Sequence, residues 1–299
     1  MEENTVLWIG QTLLYIILFF LLFIISKQFF RFRFRKIDIN NELSVKDNVS
    51  FSIVTVGYFV GIATIFFGVI QGESYGYLND IVLVVGYGVL GNILLIIASM
   101  VNEKIIFNKK FNLYKEVIKD ENKGTGCIEA ANFIAASFII YGAIQGKSIN
   151  IFPQLENIGL HLSGFISLLI LWSIGQIVLF LFLRLYTTVS KYDIFLELEK
   201  DNNAIGIVYA SILIAISYLY SQSIAGDMVS WYLTLENSGY YLGLGLILLP
   251  ISRWIVDKVI LPKSNLTHEI LNQDIPNQGA AFIEAFAYVG SAILISYCI

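Results

Sequence analysis

Eight stretches of the chain are apolar enough and long enough to cross a membrane as helices. A hydrocarbon core of about 30 Å requires roughly 20 helical residues. The predicted spans cover residues 6–25, 49–70, 81–101, 125–144, 158–183, 204–225, 231–251 and 279–298. The pattern therefore predicts an all-α, polytopic membrane protein with eight transmembrane helices.

Composition supports the membrane assignment. The chain has 57% hydrophobic and 14% charged residues, and its mean hydropathy is +0.72. Soluble proteins are about half apolar and a quarter charged. Cys127 and Cys298 are predicted near opposite membrane faces, so no disulfide between them is expected, because a bridge needs Cα atoms within about 7 Å. No residue spacing suits a zinc site, a nucleotide-binding loop or a nucleophile elbow, and we expect neither a cofactor nor an enzymatic activity.

The distribution of Lys and Arg predicts the topology. The connections and helix ends around 27–46, 104–123, 184–200 and 253–263 hold six, six, three and three of them, which is 18 of the 19. The short connections on the other side carry Lys147 and the acidic residues Glu73, Asp80, Glu156 and Asp227. Because Lys and Arg accumulate on the cytoplasmic side, the long linkers are predicted inside and both termini outside.

The basic run RFRFRK, residues 31–36, allows other interpretations. Such runs also contact anionic lipid headgroups, a cytosolic protein or nucleic acid. The run follows the first apolar span, and the chain begins MEEN, so the first span is predicted to be retained and not cleaved as a secretory signal. We favour a topogenic role with the lipid bilayer as the main partner, and we expect no nucleic-acid partner.

Four of the spans open with the same polar pattern. VKDNVSFSIVTVGYF, KDENKGTGCIEAANF, EKDNNAIGIVYASIL and DIPNQGAAFIEAFAY align without a gap on Asn48, Asn122, Asn202 and Asn277. Four positions later come small residues: Ser52, Gly126, Gly206 and Ala281. A polar linker with an acidic-apolar pair precedes each Asn: Glu42-Leu43, Glu116-Val117, Glu197-Leu198 and Glu269-Ile270. The pattern predicts a two-span unit repeated four times in one orientation, with a symmetry axis along the membrane normal.

The seventh position after each Asn divides the chain into two halves. A helix turns 100° per residue, so the Asn, the small residue and this position form one stripe. The position holds Thr55, Glu129, Tyr209 and Glu284 in turn. The alternation predicts a duplicated four-helix block, with domains at 1–149 and 150–299.

These residues resemble a bacterial membrane family, the YjfL-like group catalogued as a domain of unknown function. The third copy, YDIFLELEKDNNAIGIVYASILIA, carries the resemblance through Asp193, Glu197, Asp201, Asn202, Asn203 and Ala204. The first and fourth copies depart from it at Val49 and Gln278, where the family has Ala. The resemblance implies a two-helix fold unit, a bacterial inner membrane and a link to membrane stress, without an activity.

The polar stripe can be interpreted as purely structural or as part of a functional site. Asp and Asn at helix starts cap free N–H groups, and small residues allow close helix packing, so the stripe can be purely structural. A carboxylate inside a span costs about 3 kcal/mol, and is retained where it meets water, an ion or a partner. Glu129 and Glu284 therefore suggest a polar pathway for protons, ions or a small solute through the bundle. The alternative is a membrane scaffold or envelope-stress component whose linkers dock a cytosolic partner or anionic lipid.

Other polar residues in the spans are predicted to be structural. Asn92 and Gln176 are expected to form interhelical hydrogen bonds. Pro250 is expected to kink the seventh span. His161 and His268 are predicted near opposite faces and suggest no metal site.

Overall fold

The computed structural model describes residues 2–72, 76–106, 112–151, 162–190 and 192–299, and all regular structure in these ranges is helical. We number the α-helices in chain order: α1 Glu2–Arg33, α2 Val49–Ile70, α3 Tyr77–Val101, α4 Lys123–Ile144, α5 Leu162–Val189, α6 Ile194–Glu199, α7 Asn203–Ile224, α8 Trp231–Ile260, α9 Leu266–Leu271 and α10 Gln278–Cys298. Single π-helical turns form at Asn41–Val45, Asn102–Ile106 and Lys115–Lys119. The predicted start of the fifth span, residues 158–161, lies outside the described residues. The same is true of Glu73, Glu156 and His161.

Seven of these helices are long and apolar enough to span a membrane: α1, α2, α3, α4, α5, α7 and α10. The predicted span 231–251 lies in α8, which is 30 residues long but is not among them. Its sequence WYLTLENSGYYLGLGLILLPISRWIVDKVI mixes polar and small residues into the apolar run, which lowers its hydropathy. A crossing by α8, and with it the eight-span count, stays a prediction.

The four helices that follow an Asn pack side by side in one row, in the order α2, α4, α7, α10. Glycines allow the central backbones to approach closely. Gly57 on α2 has no room for a Cβ beside Ala130 on α4, and Gly206 on α7 has none beside Gly124. Close approach through small residues is the usual way in which membrane helices gain van der Waals contact.

The other long helices form a second layer on this row. α1 packs on α2 and α3, α3 on α2 and α4, α5 on α4 and α7, and α8 on α7 and α10. The central helices are the most covered. In the most apolar stretch of α4 and α7, 67% and 89% of residues are buried, against 44% and 39% for α2 and α10. The row therefore has two open ends, one at α2 and one at α10.

Candidate functional site

The four predicted Asn residues cap the helices of the row. The Oδ1 atom of Asn48 accepts a hydrogen bond from the backbone N–H of Phe51 at 2.9 Å. The same bond joins Asn122 to Thr125, Asn202 to Ile205 and Asn277 to Ala280. The capping prediction is confirmed at all four positions, because each side chain satisfies one of the donors that a helix start leaves open.

Each capping Asn is also held by the Glu of its own linker. The Nδ2 atoms donate to the carboxylates of Glu42, Glu116, Glu197 and Glu269 at 3.0, 3.5, 3.3 and 3.1 Å respectively. The backbone N–H groups of the same Asn residues donate to the backbone carbonyls of the same Glu residues, at 2.8 to 3.0 Å. The acidic residue of the linker therefore fixes the amide orientation that capping requires.

Three of the Asn residues also reach the next linker along the chain. Asn48 donates through Nδ2 to the carbonyl of Val117 at 3.0 Å, and Asn202 donates to that of Ile270, also at 3.0 Å. Asn122 donates to the carbonyl of Leu198 at 2.6 Å. Each acceptor is the apolar member of an acidic-apolar pair, so the Asn bridges its own linker, its helix start and the following linker.

The residue before each of the first three Asn residues adopts a left-handed backbone. Asp47, Glu121 and Asp201 have φ of 54°, 52° and 58°. Non-glycine residues rarely adopt this conformation, although Asp tolerates it better than most. It turns the linker back so that the following Asn can meet the carbonyl of its own Glu. Asp201 Oδ1 also accepts from Asn122 Nδ2 at 3.1 Å, which ties the second junction to the third.

The small residues of the predicted stripe serve helix packing. Gly126 lies against the backbone of Ser50, whose Oγ donates to the carbonyl of Asn122 at 2.6 Å. Gly206 lies against Gly124, and Ala281 is fully buried. Ser52, at the open end on α2, donates to the carbonyl of its own Asn48. These residues therefore do not line a common space.

Glu129 lies in a closed cluster between α1, α3 and α4. Its side chain is fully buried and accepts hydrogen bonds from Ser99 Oγ and, at 3.1 Å, from Asn102 Nδ2. Arg33 at the end of α1 donates through Nε to Ser99 Oγ at 2.8 Å and through Nη2 to Glu103 at 2.7 Å. The Arg33 guanidinium is thus linked to Glu129 through the hydroxyl of Ser99.

Glu284 lies in a different cluster, between α8, α9 and α10. Arg253 donates to both carboxylate oxygens, from Nε at 2.6 Å and from Nη2 at 3.1 Å, and the Tyr288 hydroxyl donates at 3.3 Å. Thr267 accepts from Arg253 Nη2 at 2.9 Å. The Glu284 side chain is 2% exposed and that of Arg253 is 30% exposed. Glu129 and Glu284 share no hydrogen-bonding partner among the described residues, so the structure does not bring them together.

The remaining stripe residues differ in burial. Thr55 is partly buried and donates to the carbonyl of Phe51 on its own helix. Tyr209 is 1% exposed, and its ring centroid lies 6.3 Å from that of Tyr186 on α5. The residue seven positions after the Asn therefore contacts a helix of the second layer where it is buried, at Glu129, Tyr209 and Glu284.

A crevice of about 960 Å³ adjoins the Glu284 cluster. It lies between α5 and α8, two helices of the second layer, and α7 contributes to its wall. The apolar lining includes Phe182, Leu185, Ile212, Ile216, Leu246 and Leu249. Polar groups from the same lining include Tyr186, Tyr192, Arg253, Thr267, His268 and Tyr288. The Tyr186 and Tyr192 hydroxyls lie 3.0 Å apart, and burial raises the pKa of Tyr192, which lies outside the helices.

The linkers carry most of the remaining charge. Burial raises the pKa of Glu116, while the neighbouring Lys115 acts to lower it. Lys115 pairs with Glu116 at 3.1 Å and with Asp120 at 2.7 Å, and the hydrogen bond to Asp120 is the main reason that the pKa of Lys115 is raised. The linker of the second junction is thus a compact ion cluster.

The other polar predictions have mixed outcomes. Asn92 accepts from the Tyr58 hydroxyl and donates to the Gly88 carbonyl at 2.8 Å, which confirms its interhelical role. Gln176 Nε2 is buried without a hydrogen-bonding partner in the described part of the chain. Cys127 and Cys298 are free thiols. No group of three or more His, Cys, Asp or Glu residues within the described ranges is arranged to hold a metal ion.

Sequence reasoning missed the two arginines of the clusters. Arg33 and Arg253 entered only as topogenic charges, although Arg253 lies two residues past the end of the apolar run 242–251. An arginine so close to a span, with a carboxylate predicted inside a neighbouring span, could have indicated the ion pair. The crevice left no signal in the sequence, because it depends on where α5 lies relative to α8.

Two comparisons with known proteins give matches. A family model described as Domain of Unknown Function (DUF350) matches residues 4–144 and again residues 159–299. The chain is 26% identical over 262 residues to a "UPF0719 transmembrane protein" of Aquifex aeolicus (strain VF5), covering 87% of this chain and 90% of that protein. No solved structure matches the chain. The matches support a multi-pass membrane protein of an uncharacterised family with an internal duplication, while the YjfL-like name stays a resemblance.

Proposed function

Because the chain belongs to the family described as Domain of Unknown Function (DUF350), whose description carries no activity, we propose its function from its own geometry: a non-enzymatic membrane protein that holds a membrane amphiphile in the crevice between α5 and α8. The observation that carries the proposal is the crevice itself. Its volume lies at the upper end of the range of roughly 300–1,000 Å³ that is typical of ligand sites. The ligand class that fits is a lipid or a similar molecule with one apolar chain and an oxygen-bearing head.

The apolar part of the crevice suits an acyl chain. Leu246, Leu249 and Ile216 contribute aliphatic surface from two facing helices. Apolar walls with a few polar groups at defined positions are the usual composition of small-molecule sites. An acyl chain there would cover apolar side chains that α5 leaves uncovered.

The polar part suits the head of the same molecule. Arg253 uses Nε and Nη2 for Glu284 and Thr267, which leaves Nη1 able to donate toward the crevice. His268 and the Tyr186 hydroxyl lie in the same lining. A guanidinium edge beside hydroxyl and imidazole groups is a chemistry that recognises phosphate or carboxylate oxygens.

Photolabelling with a phospholipid that carries a photoactivatable acyl chain tests this proposal. The purified protein is reconstituted with the probe, and labelled peptides are mapped by mass spectrometry. We expect labels on the lining of the crevice and their loss in Leu246→Trp, because the indole fills the space. Ile247→Trp is the matched control, since Ile247 is 60% exposed and does not line the crevice. Equal labelling of the crevice peptides in both variants would contradict the proposal.

A polar pathway for protons, ions or a small solute is the second candidate. It is favoured by two buried carboxylates, each in a hydrogen-bonded cluster, at the same position of two duplicated segments. Flux into proteoliposomes by the wild type and by a Glu129→Gln, Glu284→Gln double variant tests it. A flux that the double variant abolishes supports the pathway, and no flux for protons, cations, anions or polyamines removes it.

The proposed architecture is four two-helix units in one orientation, forming eight spans in a bacterial inner membrane. The repeated bonds of the four capping Asn residues support it. Cytoplasmic linkers would then present Arg31 and Lys36 to anionic lipid or to a cytosolic protein, which is the scaffold alternative. In a chain without Cys127 and Cys298, single cysteines at Ser44 and Asn150 should be labelled from opposite sides of the membrane. Labelling of both from outside would contradict this topology and the external termini.

A further inference from the structure

The two ends of the row leave complementary halves of one interface uncovered. Inside the chain, the side chains of Asn48, Asn122 and Asn202 are covered by the following linker and are 0%, 2% and 2% exposed. Asn277 at the end of the row is exposed, and within the described ranges its Nδ2 donates to Glu269 alone. The donor that would reach a fifth linker has no carbonyl to meet among the described residues.

The opposite end presents the matching acceptor. Val117, Leu198 and Ile270 give their carbonyls to the Asn of the preceding unit, and they are 4%, 0% and 3% exposed. Leu43 is the corresponding residue of the first linker. It is only partly buried, and no Asn side chain of the described residues donates to its carbonyl.

We propose that a second copy of this chain docks head to tail on these ends, with Asn277 of one copy donating to the Leu43 carbonyl of the next. The occupant follows from the chain itself, because the same contact already occurs three times between consecutive units. The contact uses different surfaces on the two partners, so it is heterologous and produces a ring if the rotation closes and an open row if it does not.

The helix starts next to these groups match in position, although Val49 has no side-chain acceptor for the N–H of Gly279. Within the chain, the backbone N–H of Gly124 donates to Asn203 Oδ1 at 2.8 Å. Gly279 and Val49 hold the equivalent positions at the two ends of the row, and Val49 is 41% exposed. The first turn of α10 therefore has room for the first turn of α2 from another copy.

Deeper in the membrane the ends cannot approach as closely as the central helices. Phe286 stands at the position on α10 that Gly57 holds on α2, and its ring lies over Gly290. Phe286 is 64% exposed, and the facing end would offer Val56, which is 61% exposed. The contact between copies is thus polar at the junction and aromatic-aliphatic along the helices, with a wider spacing.

Disulfide cross-linking between two differently tagged chains tests the docking. A Cβ at Gly124 would lie 3.1 Å from the Cα of Asn203, so the equivalent pair is near the Cβ separation of about 3.5–4.5 Å that a disulfide needs. In chains without Cys127 and Cys298, Val49→Cys on one tag and Gly279→Cys on the other are co-expressed and oxidised in native membranes. We expect a cross-linked product that carries both tags.

The controls define the polarity of the contact. Val49→Cys with Tyr297→Cys should not cross-link, because Tyr297 lies at the other end of α10. Gln278→Cys replaces Gly279→Cys if that variant is not produced. Products carrying one tag twice would indicate a head-to-head contact and overturn the proposal. Monomers only, with both cysteines accessible to a small reagent, would show that lipid or water covers these ends and would overturn it as well.

Discussion

The two buried glutamates occupy equivalent positions in the duplicated segments but meet different surroundings. Glu129 accepts hydrogen bonds from two neutral groups, Ser99 and Asn102. Arg33 on α1 donates to the hydroxyl of that Ser99 and does not contact Glu129 through a hydrogen bond of its own. Glu284 is bound directly by Arg253, and α5 stays far enough from α8 to leave a crevice beside the pair. The same position in the sequence pattern is therefore a closed structural cluster in one segment and part of an open site in the other.

The difference indicates which contacts duplication has kept. The Asn-Glu bonds recur in all four units, and glycine approaches join α2 to α4 and α4 to α7. The charge partner of Glu129 is Arg33 on α1, and that of Glu284 is Arg253 on α8, the preceding long helix. The crevice at α5 and α8, where we propose that an amphiphile binds, belongs to the part that differs.

The largest expected effect is the loss of the cation beside Glu284. Arg253→Ala leaves a carboxylate that is 2% exposed without its charge partner. Breaking a buried ion pair from one side costs about 3–5 kcal/mol, so we expect a large drop in thermal stability in detergent. Arg33→Ala should cost less, because Ser99 and Asn102 continue to donate to Glu129.

The double variant Arg253→Met, Glu284→Leu is the control for this comparison. Replacing both members of a buried pair by apolar residues of similar size is often neutral or stabilising. We therefore expect it to recover most of the stability lost in Arg253→Ala. Equal losses in Arg253→Ala and Arg33→Ala would mean that the two clusters are electrostatically equivalent.

The second effect compares the junctions themselves. Asn122 is 2% exposed and binds Thr125, Leu198 and Asp201, whereas Asn277 is exposed. Asn122→Ala removes a cap worth about 1 kcal/mol and leaves buried acceptors unpaired at about 1–3 kcal/mol more. Asn277→Ala should cost only about 1 kcal/mol for the cap. Denaturant or thermal unfolding of the two variants measures the difference, and equal costs would contradict the role of the next linker.

Much of the fold could be predicted because it depends on local spacing. The helix starts at Asn48, Asn122, Asn202 and Asn277 follow from capping chemistry, and the close row follows from small residues at a fixed distance behind them. Seven spans agree with the apolar pattern. The eighth, in α8, stays a prediction, because polar residues interrupt its apolar run.

The candidate site could not be predicted to the same degree. Arg33 reaches Ser99, and Arg253 reaches Glu284, through contacts between elements whose relative placement the sequence pattern does not specify. The hypothesis of a polar pathway through the bundle drew on Glu129 and Glu284 together. Both are buried, but in separate clusters, because the helices that carry them are separated in the row by α7.

The smallest expected effect concerns the carboxylate of Glu116, which accepts a hydrogen bond from Asn122 in the first of the two duplicated segments. Burial raises the pKa of Glu116, so the folded state holds its proton to higher pH than the unfolded chain does. The penalty for ionising Glu116 therefore grows as pH rises through the folded-state pKa, and stability falls from acidic to neutral pH.

Glu116→Gln should flatten this part of the stability profile, with a change of about 1 kcal/mol or less at pH 7 because Lys115 offsets part of the penalty. Lys115→Met should steepen it, since the cation that lowers the pKa is removed. Thermal unfolding between roughly pH 4 and 7, a window that spans the ordinary Glu pKa, measures both slopes, and slopes that change in the same direction would show that Glu116 does not titrate as its burial indicates.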